Sequence, residues 1–219
     1  MCNVVESSSG KTETVFIIDD DLGVRDGLCN FLNAQGLSAT PFGSAEEFLV
    51  QWTTEHAGCL LLDFKLPGMN GVEFQKKLNK SGIQIPIVFM TGYADIPMVR
   101  TVMKSGAVDF LTKPLHHQPL MSAIAEALSL DRSRREQDLR LHSTRMRFQS
   151  LSKREIEVLE RINAGLINKD IASELNLRLV TVKFHRQHVM EKMQANSLAE
   201  LFRMCELLKL SIGHVDEKS

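Results

Sequence analysis

Residues 14–21 read Thr-Val-Phe-Ile-Ile-Asp-Asp-Asp, a short apolar run that ends in three aspartates. Similar apolar runs lie at 60–62, 86–90 and 107–111, and a weaker one lies at 37–42. Longer segments with helical patterns separate these runs, and this alternation is typical of repeated βα units. Because the runs are continuously apolar, they indicate strands of a parallel sheet that is covered on both faces. The pattern predicts a doubly wound α/β domain with five parallel strands.

Polar side chains follow four of the five runs, directly where each predicted strand ends. Asp19 and Asp20 follow the first run, Asp63 the third, Thr91 the fourth and Lys113 the fifth. In open α/β sheets, the carboxyl ends of the strands form the edge at which ligands bind. We therefore expect these side chains to converge at one site.

The residue types at this edge favour phosphoryl chemistry. Clustered carboxylates repel one another unless a cation lies among them, and Mg²⁺ prefers one or two carboxylates together with phosphate oxygens. The Lys113 ammonium and the Thr91 hydroxyl can bind phosphate oxygens, and a carboxylate can itself accept a phosphoryl group. Asp63, the lone central carboxylate, is the best candidate for this acceptor. Each residue alone also fits a structural role in a cap or turn, but the joint pattern is far more specific.

Length, cysteine content and charge set bounds on the class of protein. The 219 residues suffice for one large or two small domains, and the four scattered cysteines argue against disulfides or a cysteine-based zinc site. Apolar runs stay below the ~18 residues that span a bilayer, and the polar N-terminus lacks a secretory signal, so we expect a cytoplasmic protein without membrane contacts.

The two halves of the chain differ in charge. Residues 1–120 carry 9 basic and 13 acidic residues, whereas residues 121–219 carry 17 basic and 14 acidic residues, which suggests two domains with different partners.

The back half of the chain shows helix signals and no strand signals. Ser152 and Glu155 form a capping box, and Asn168 can cap a second, short helix. A third helix is predicted from Thr181 to Gln194, and a second capping box at 197–200 opens a fourth. Four short helices with a tight turn between the middle two are typical of an all-α helix-turn-helix domain.

The domain boundaries follow from where the strand signals stop. Residues 131–149 contain neither Gly nor Pro, which favours a helical linker over a flexible one. The predicted order is a flexible N-terminus at 1–12, the doubly wound domain at 13–127, the linker at 128–149, the helix-turn-helix domain at 150–213 and a flexible C-terminus at 214–219.

The third predicted helix of the back half carries a basic face. Lys183, Phe184, Arg186 and Gln187 point away from its apolar side. Lys and Arg neutralise DNA phosphates, and Gln can bind an adenine edge with two hydrogen bonds. A solvated basic helix would have the same composition, so these residues alone leave both interpretations open.

Residues 13–125 resemble the receiver domain of two-component response regulators. The resemblance lies in Ile-Ile-Asp-Asp-Asp at 17–21, the stretch from Leu60 to Gly71, Met-Thr-Gly at 90–92 and Asp-Phe-Leu-Thr-Lys-Pro at 109–114. It implies a flavodoxin-like, CheY-like fold with a phosphoacceptor at Asp63 and a cis peptide bond before Pro114.

The same resemblance implies roles for the residues around Asp63. Thr91 and Lys113 would bind phosphate oxygens, and Thr91 and Phe110 would be the switch residues. A sensor histidine kinase would donate the phosphoryl group. The implied Mg²⁺ ligands are Asp19 through water, Asp20, Asp63 and the backbone carbonyl of Lys65. On phosphorylation the chain would form a homodimer through the surface around Ile96, Met98, Val99, Phe110 and Leu111.

The back half is similar to the LuxR/NarL-type helix-turn-helix. The matching stretches are 151–159, Asn-Lys-Asp-Ile-Ala at 168–172 and Thr-Val-Lys-Phe-His at 181–185, and the stretches 189–193 and 197–204 resemble FixJ-like members in particular. The resemblance implies binding to double-stranded promoter DNA and contact with RNA polymerase. The implied contacts are Lys183, Phe184 and Gln187 with base edges, and Lys169, Thr181 and Arg186 with phosphates.

One residue departs from this helix-turn-helix pattern. The family usually has Ser at the start of the recognition helix, where this chain has Arg178. The missing capping hydroxyl is typically worth about 0.5–2 kcal/mol. Arg178 could contact a phosphate instead, or Thr181 could cap a later helix start.

Two alternatives to a phosphorylated transcription factor remain at this point. A phosphatase of the haloacid-dehalogenase type would use Asp19 as nucleophile and Asp21 as acid/base, but it lacks its downstream acidic pair and leaves Asp63 without a role. A phosphorylation-independent regulator or an RNA-binding antiterminator is disfavoured by the complete pocket and by the helix-turn-helix pattern. We therefore expect no enzymatic activity beyond the chain's own phosphorylation and dephosphorylation.

Overall fold

The structure, a computed structural model, describes residues 12–92 and 96–212. The chain divides into two compact units, Met1–Arg135 and Glu136–Ser219, so the division falls within the predicted linker. Nearly all of the predicted flexible N-terminus and all of the predicted flexible C-terminus lie outside the described residues. Within the described ranges, no helix is both long and apolar enough to cross a membrane.

The first unit is a parallel five-stranded sheet with helices on both faces, which confirms the predicted fold class. Its elements are β1 (Thr14–Ile18), α1 (Leu22–Ala34), β2 (Ser38–Phe42), α2 (Ala45–Gln51), β3 (Gly58–Asp63), α3 (Gly71–Lys80), β4 (Ile87–Thr91), α4 (Ile96–Lys104), β5 (Asp109–Thr112) and α5 (His117–Gln149). The strand order is β2-β1-β3-β4-β5, and each neighbouring pair is parallel.

Alternate residues of the central strands pack on opposite faces of the sheet, because successive side chains of a strand point in opposite directions. In β1, Phe16 joins a core cluster with Phe48 of α2 and Phe74 of α3. The next residue, Ile17, joins a second cluster with Leu32 of α1. Both faces of the sheet are therefore buried, which explains why the strands are continuously apolar in sequence.

The weakest apolar run in the sequence forms an edge strand. β2 pairs only with β1, and its Pro41 lies opposite Ile17. Proline has no N–H to donate, and edge strands tolerate this loss better than central strands do. The poor strand signal of β2 thus reflects its position in the sheet.

A buried ionic contact fixes α5 to the amino end of the sheet. Asp131 is almost fully buried and accepts hydrogen bonds from the Gly58 backbone N–H at 2.9 Å, from Arg135 Nε at 2.7 Å and from Arg134 Nη2 at 2.6 Å. Arg135 also lies 3.1 Å from Glu13 Oε1. These bonds hold α5 against the sheet well beyond residue 127, where the sequence predicts that the first domain ends.

The second unit begins within α5, contains its last turns and packs four further helices around one core cluster. These are α6 (Lys153–Asn163), α7 (Asn168–Glu174), α8 (Leu179–Met193) and α9 (Leu198–Ile212). Two predicted helix starts are wrong. α7 has Ile167 rather than Asn168 at its N-cap, and α8 has Arg178 there, so Thr181 lies in the first turn and does not cap a later start. Neither N-cap side chain makes a capping hydrogen bond.

The predicted capping box of α6 also fixes α8. Glu155 is buried, and its Oε2 accepts hydrogen bonds from the Ser152 backbone N–H and from Lys192 Nζ, each at 2.7 Å. Burial disfavours the carboxylate form, but the hydrogen bonds from Lys192 and Ser152 outweigh it and lower the pKa of Glu155 to about 2. This carboxylate therefore stabilises both the start of α6 and its contact with α8.

Replacing Gly58 with Ala should destabilise the first unit by about 3 kcal/mol or more. Gly58 has a φ of +143°, and a Cβ atom there would lie 1.8 Å from the carbonyl oxygen of Thr14 on the neighbouring strand. Urea unfolding can be followed by the fluorescence of Trp52, the only tryptophan of the chain. Gly82→Ala is the matched control, since its φ is +73° but a Cβ atom there meets nothing within 4 Å. Equal losses for the two variants would contradict this account.

The stability of the second unit should fall as the pH drops from about 4.5 towards 2. The folded-state pKa of Glu155 is lower than its unfolded value, so the stabilisation is present above the unfolded pKa and is lost as Glu155 protonates in the native state. Native-state hydrogen exchange of the α8 amides measures this change. Glu155→Gln should cost about 2 kcal/mol of unfolding free energy at neutral pH, a value reduced because solvent partly screens Lys192. The same change should remove most of the acid dependence, because Gln does not titrate. Glu160→Gln, at an exposed position of the same helix, should leave the acid dependence unchanged.

Candidate functional site

Three elements of the first unit meet around one ammonium group. Lys113 follows β5, and its Nζ lies 2.6 Å from Asp19 Oδ2, after β1, and 2.6 Å from Asp63 Oδ1, at the end of β3. Thr91 ends β4, and its carbonyl oxygen accepts a hydrogen bond from the Lys113 backbone N–H at 2.7 Å. The carboxyl edge of the sheet thus brings together Asp19, Asp63 and Lys113 and places the Thr91 backbone beside Lys113.

Backbone contacts fix the positions of these side chains. The Phe64 N–H donates to the Met90 carbonyl oxygen at 2.8 Å, and the Lys65 N–H donates to Asp63 Oδ2 at 2.8 Å. The peptide bond between Lys113 and Pro114 is cis, as the sequence resemblance implies. Asp63 is therefore held by its strand and by the turn that follows it.

The electrostatics of the site favour an ion pair between a partly exposed ammonium group and two buried carboxylates. Asp19 is 0% exposed and Asp63 is 5% exposed. Burial raises the pKa of Asp63, and the nearby Asp19 charge adds to this rise, while hydrogen bonds from Lys113 and the Lys65 amide oppose it. Burial disfavours the Lys113 ammonium, but its two carboxylate partners outweigh that effect and raise its pKa. Lys113 therefore stays charged.

The three consecutive aspartates have different roles. Asp19 is buried and accepts a hydrogen bond from the Asp21 N–H at 3.0 Å, whereas Asp20 is exposed. Asp21 is the N-cap of α1 and accepts from the Gly23 N–H at 2.7 Å and the Val24 N–H at 3.2 Å. The capping role explains Asp21 without the acid/base chemistry that the phosphatase alternative requires.

The oxygen donors of this edge suit a hard divalent cation. The described residues contain no group of three or more His, Cys, Asp and Glu side chains arranged to hold a metal ion. Mg²⁺ does not need such a group, because it usually keeps several waters and binds one or two carboxylates with phosphate oxygens. The carboxylates of Asp19, Asp20 and Asp63 outnumber the Lys113 ammonium, so a dication would neutralise the remaining negative charge.

The predicted switch residues lie on adjacent strands. Phe110 of β5 is opposite Phe89 of β4, is partly buried and packs against the core, and Thr91 is 1% exposed. Phe110 also lines a depression of about 160 Å³ together with residues of β5, of the loop that follows it, among them Leu115, and of the start of α5. The side chains of Ile96 and Met98 in the predicted dimer surface lie outside the described ones, whereas Val99 is half-buried.

The second unit presents an exposed face on α8. Lys183, Phe184 and Gln187 are all exposed, and their spacing along the helix puts them on one side. Gln187 Nε2 donates to Glu191 Oε1 at 2.8 Å. Lys169 and Arg178 are exposed and Thr181 is half-buried. The predicted base-contact residues therefore share one accessible face.

Several structural contacts of these sites were not predicted from the sequence. Arg25 Nη1 donates to the Asp19 carbonyl oxygen at 2.6 Å, and Arg186 Nη1 donates to Asn168 Oδ1 at 2.9 Å. Arg25 lies one turn after the Asp21 cap, which is the only local signal that places it near β1. The Arg186 contact joins two helices and has no signal in the local sequence.

Comparison with known protein families and structures agrees with both units. Residues 15–125 match the response regulator receiver domain, and residues 149–205 match the bacterial regulatory proteins of the luxR family. Nodulation protein W of Bradyrhizobium diazoefficiens is 44% identical over 93% of this chain and 89% of that protein. The transcriptional regulatory protein FixJ of the same species is 38% identical over 87% of this chain and 93% of its own.

The chain is also similar to a solved structure of the response regulator StyR. It is 43% identical, with a TM-score of 0.81 over 89% of this chain and 98% of that chain. Two family models together cover most of the sequence, and full-length relatives exceed 30% identity. The chain therefore belongs to the two-component response regulators that join a receiver domain to a LuxR-type DNA-binding domain.

Proposed function

We propose that this chain is a transcription factor whose receiver is phosphorylated on Asp63 by a sensor histidine kinase in a Mg²⁺-dependent reaction. Phosphorylation then promotes receiver dimerisation and promoter binding. The contact of Lys113 Nζ with both Asp19 and Asp63 at 2.6 Å is the observation that carries the proposal. It supports Asp63 as the acceptor, because the Lys113 ammonium already lies beside its carboxylate and could pair with the incoming phosphate.

The transfer step is a simple exchange of bonds at phosphorus. A bond forms between a carboxylate oxygen of Asp63 and phosphorus, while the bond between phosphorus and an imidazole nitrogen of the kinase breaks and the imidazole takes up a proton. Such a transfer depends mainly on positioning and charge neutralisation. Lys113 and Thr91 would hold the phosphate oxygens in this chain.

The metal requirement follows from the charge of the site. We assign Mg²⁺ binding to Asp19 through water, Asp20, Asp63 and the backbone carbonyl of Lys65, and the bound ion would neutralise charge on the phosphoryl oxygens. Asp19 and Asp63 are buried, so their carboxylates are held in place, whereas Asp20 is exposed and is accessible to an ion from solvent.

Phosphorylation would act on the receiver through Thr91 and Phe110. The phosphate draws the Thr91 hydroxyl towards it as a hydrogen-bond donor, and Phe110 moves into the space that Thr91 leaves. Shifting a two-state equilibrium from 1:99 to 99:1 takes about 5.5 kcal/mol, which a charged phosphate site and dimer contacts would supply together. A dimer places two recognition helices about one DNA turn, ~34–36 Å, apart.

Asp63→Asn should abolish phosphorylation and the dimerisation that depends on it, because the amide is not a nucleophile although it keeps the shape of the side chain. The test incubates the protein with Mg²⁺ and acetyl phosphate and measures intact mass and light scattering during gel filtration. Chelation of Mg²⁺ should prevent phosphorylation of the parent protein. Asp26→Asn, at an exposed position of α1, is the matched control and should leave both readouts unchanged. Phosphodonor-dependent dimers of the Asp63→Asn variant would refute the scheme.

Lys183→Ala should weaken specific DNA binding by about 1–3 kcal/mol and relax the sequence preference, because Lys183 is assigned to a base edge. Lys169→Ala should instead weaken binding to all duplexes alike and reduce the salt slope by about 1, as expected for a phosphate contact. Fluorescence anisotropy on a footprinted duplex and a scrambled duplex at several salt concentrations separates the two effects. Lys153→Ala, an exposed lysine outside the assigned contacts, is the control. Equal effects of Lys183→Ala on both duplexes would contradict base readout.

A further inference from the structure

A wide groove crosses the second unit where four of its helices start or end. It has a volume of about 640 Å³ and is lined by the end of α6, the loop that follows α6, and the first halves of α7, α8 and α9. Large apolar side chains along it are open to solvent, with Ile167 63% exposed, Leu179 45%, Leu198 38% and Phe202 37%. A cavity of ~150 Å³ holds one benzene ring, so this groove has room for several apolar side chains.

Cations form the polar part of the same groove. Lys169, Lys183 and Arg186 line it, whereas the described lining residues include no Asp or Glu. Arg186 is held in place by its hydrogen bond to Asn168 Oδ1 at 2.9 Å. An acid-free groove with three cations favours an anionic occupant, although the chain as a whole carries a net charge of −1.

Duplex DNA accounts for the cations but not for the apolar side chains. Protein–DNA interfaces are more polar than protein–protein interfaces, and phosphates gain little from exposed Leu and Phe side chains. Exposed apolar patches with a polar rim are typical of sites that bind other proteins. Amphipathic helices commonly bind such grooves through apolar side chains spaced at i, i+3, i+4 and i+7.

We propose that this groove binds an acidic, amphipathic helical segment of a partner protein. Apolar side chains of the segment would pack on Leu198 and Phe202, and its carboxylates would pair with Lys169, Lys183 and Arg186. The proposed function assigns Lys183 and Lys169 to DNA, and the sequence resemblance implies a phosphate contact for Arg186, so the segment and the duplex would exclude each other. Only this exclusion rests on the proposed function, since binding of the segment depends on the groove alone.

The test uses the full chain and a fluorescein-labelled peptide of about 14 residues, with Leu and Phe at helical spacing and Asp and Glu elsewhere. The peptide should bind the parent protein, and a Leu198→Ser/Phe202→Ser variant should bind it at least about tenfold more weakly. Leu139→Ser, which removes an apolar side chain of α5 that is 61% exposed and outside the groove, should bind it within about twofold of the parent. Ile167→Ser gives a second groove variant if circular dichroism shows that the double variant is unfolded.

Three outcomes would overturn the proposal. These are failure of the peptide to bind the parent, equal binding by the groove variants, and equal binding of a peptide in which Ser replaces every Leu and Phe. The last result would show that the groove binds anions without using its apolar side chains, as a DNA-binding surface would. Competition with a labelled duplex tests the exclusion separately. If Lys183→Ala leaves DNA affinity unchanged while the groove variants lose the peptide, the DNA assignment fails and the groove proposal stands.

Discussion

One ammonium group between two buried carboxylates connects the strand ends of the receiver. Lys113 Nζ reaches Asp19 and Asp63, which are 94 and 50 residues away along the chain. Removal of one partner from a buried ion pair typically costs about 3–5 kcal/mol, because the remaining charge is left without compensation. The parallel ladders bring these residues together, and the ion pair in turn favours the strand arrangement that allows it. Lys113 therefore compensates part of the cost of burying the Asp19 and Asp63 carboxylates at the strand ends.

The same contact gives a physical reason for a switch in the proposed function. Before phosphorylation, the two carboxylates share the charge of Lys113 in a site where Asp19 and Asp63 are nearly inaccessible to water. In the proposed function, a phosphoryl group would add negative charge and strong acceptor oxygens, which would draw hydrogen-bond donors at the edge of the site towards it. Thr91 is such a donor, and it ends the strand next to the one that carries Phe110. A change of charge at Asp63 can thus alter packing two strands away.

Local patterns in the sequence were enough to predict the sheet and the residues at its edge. Strand faces are read from short apolar runs, and Asp63 and Lys113 stand directly after such runs. Contacts between distant segments have no local pattern, so the buried bond between Gly58 and Asp131, which are 73 residues apart, was not predicted. The predicted start of α8 is wrong for a related reason. Its first turn contains the exposed apolar residues Leu179 and Val180, which give no amphipathic signal.

The recognition helix keeps its position without a side-chain cap. Loss of a capping hydroxyl at Arg178 costs about 0.5–2 kcal/mol, whereas hydrogen bonds to charged groups contribute about 1.5–3 kcal/mol each. Two such bonds tie α8 to other helices, from Arg186 to Asn168 of α7 and from Lys192 to Glu155 of α6. Their combined contribution offsets the missing cap. Since the middle and the end of α8 fix its orientation, its N-cap position can carry a basic residue while the exposed face of the helix stays in place.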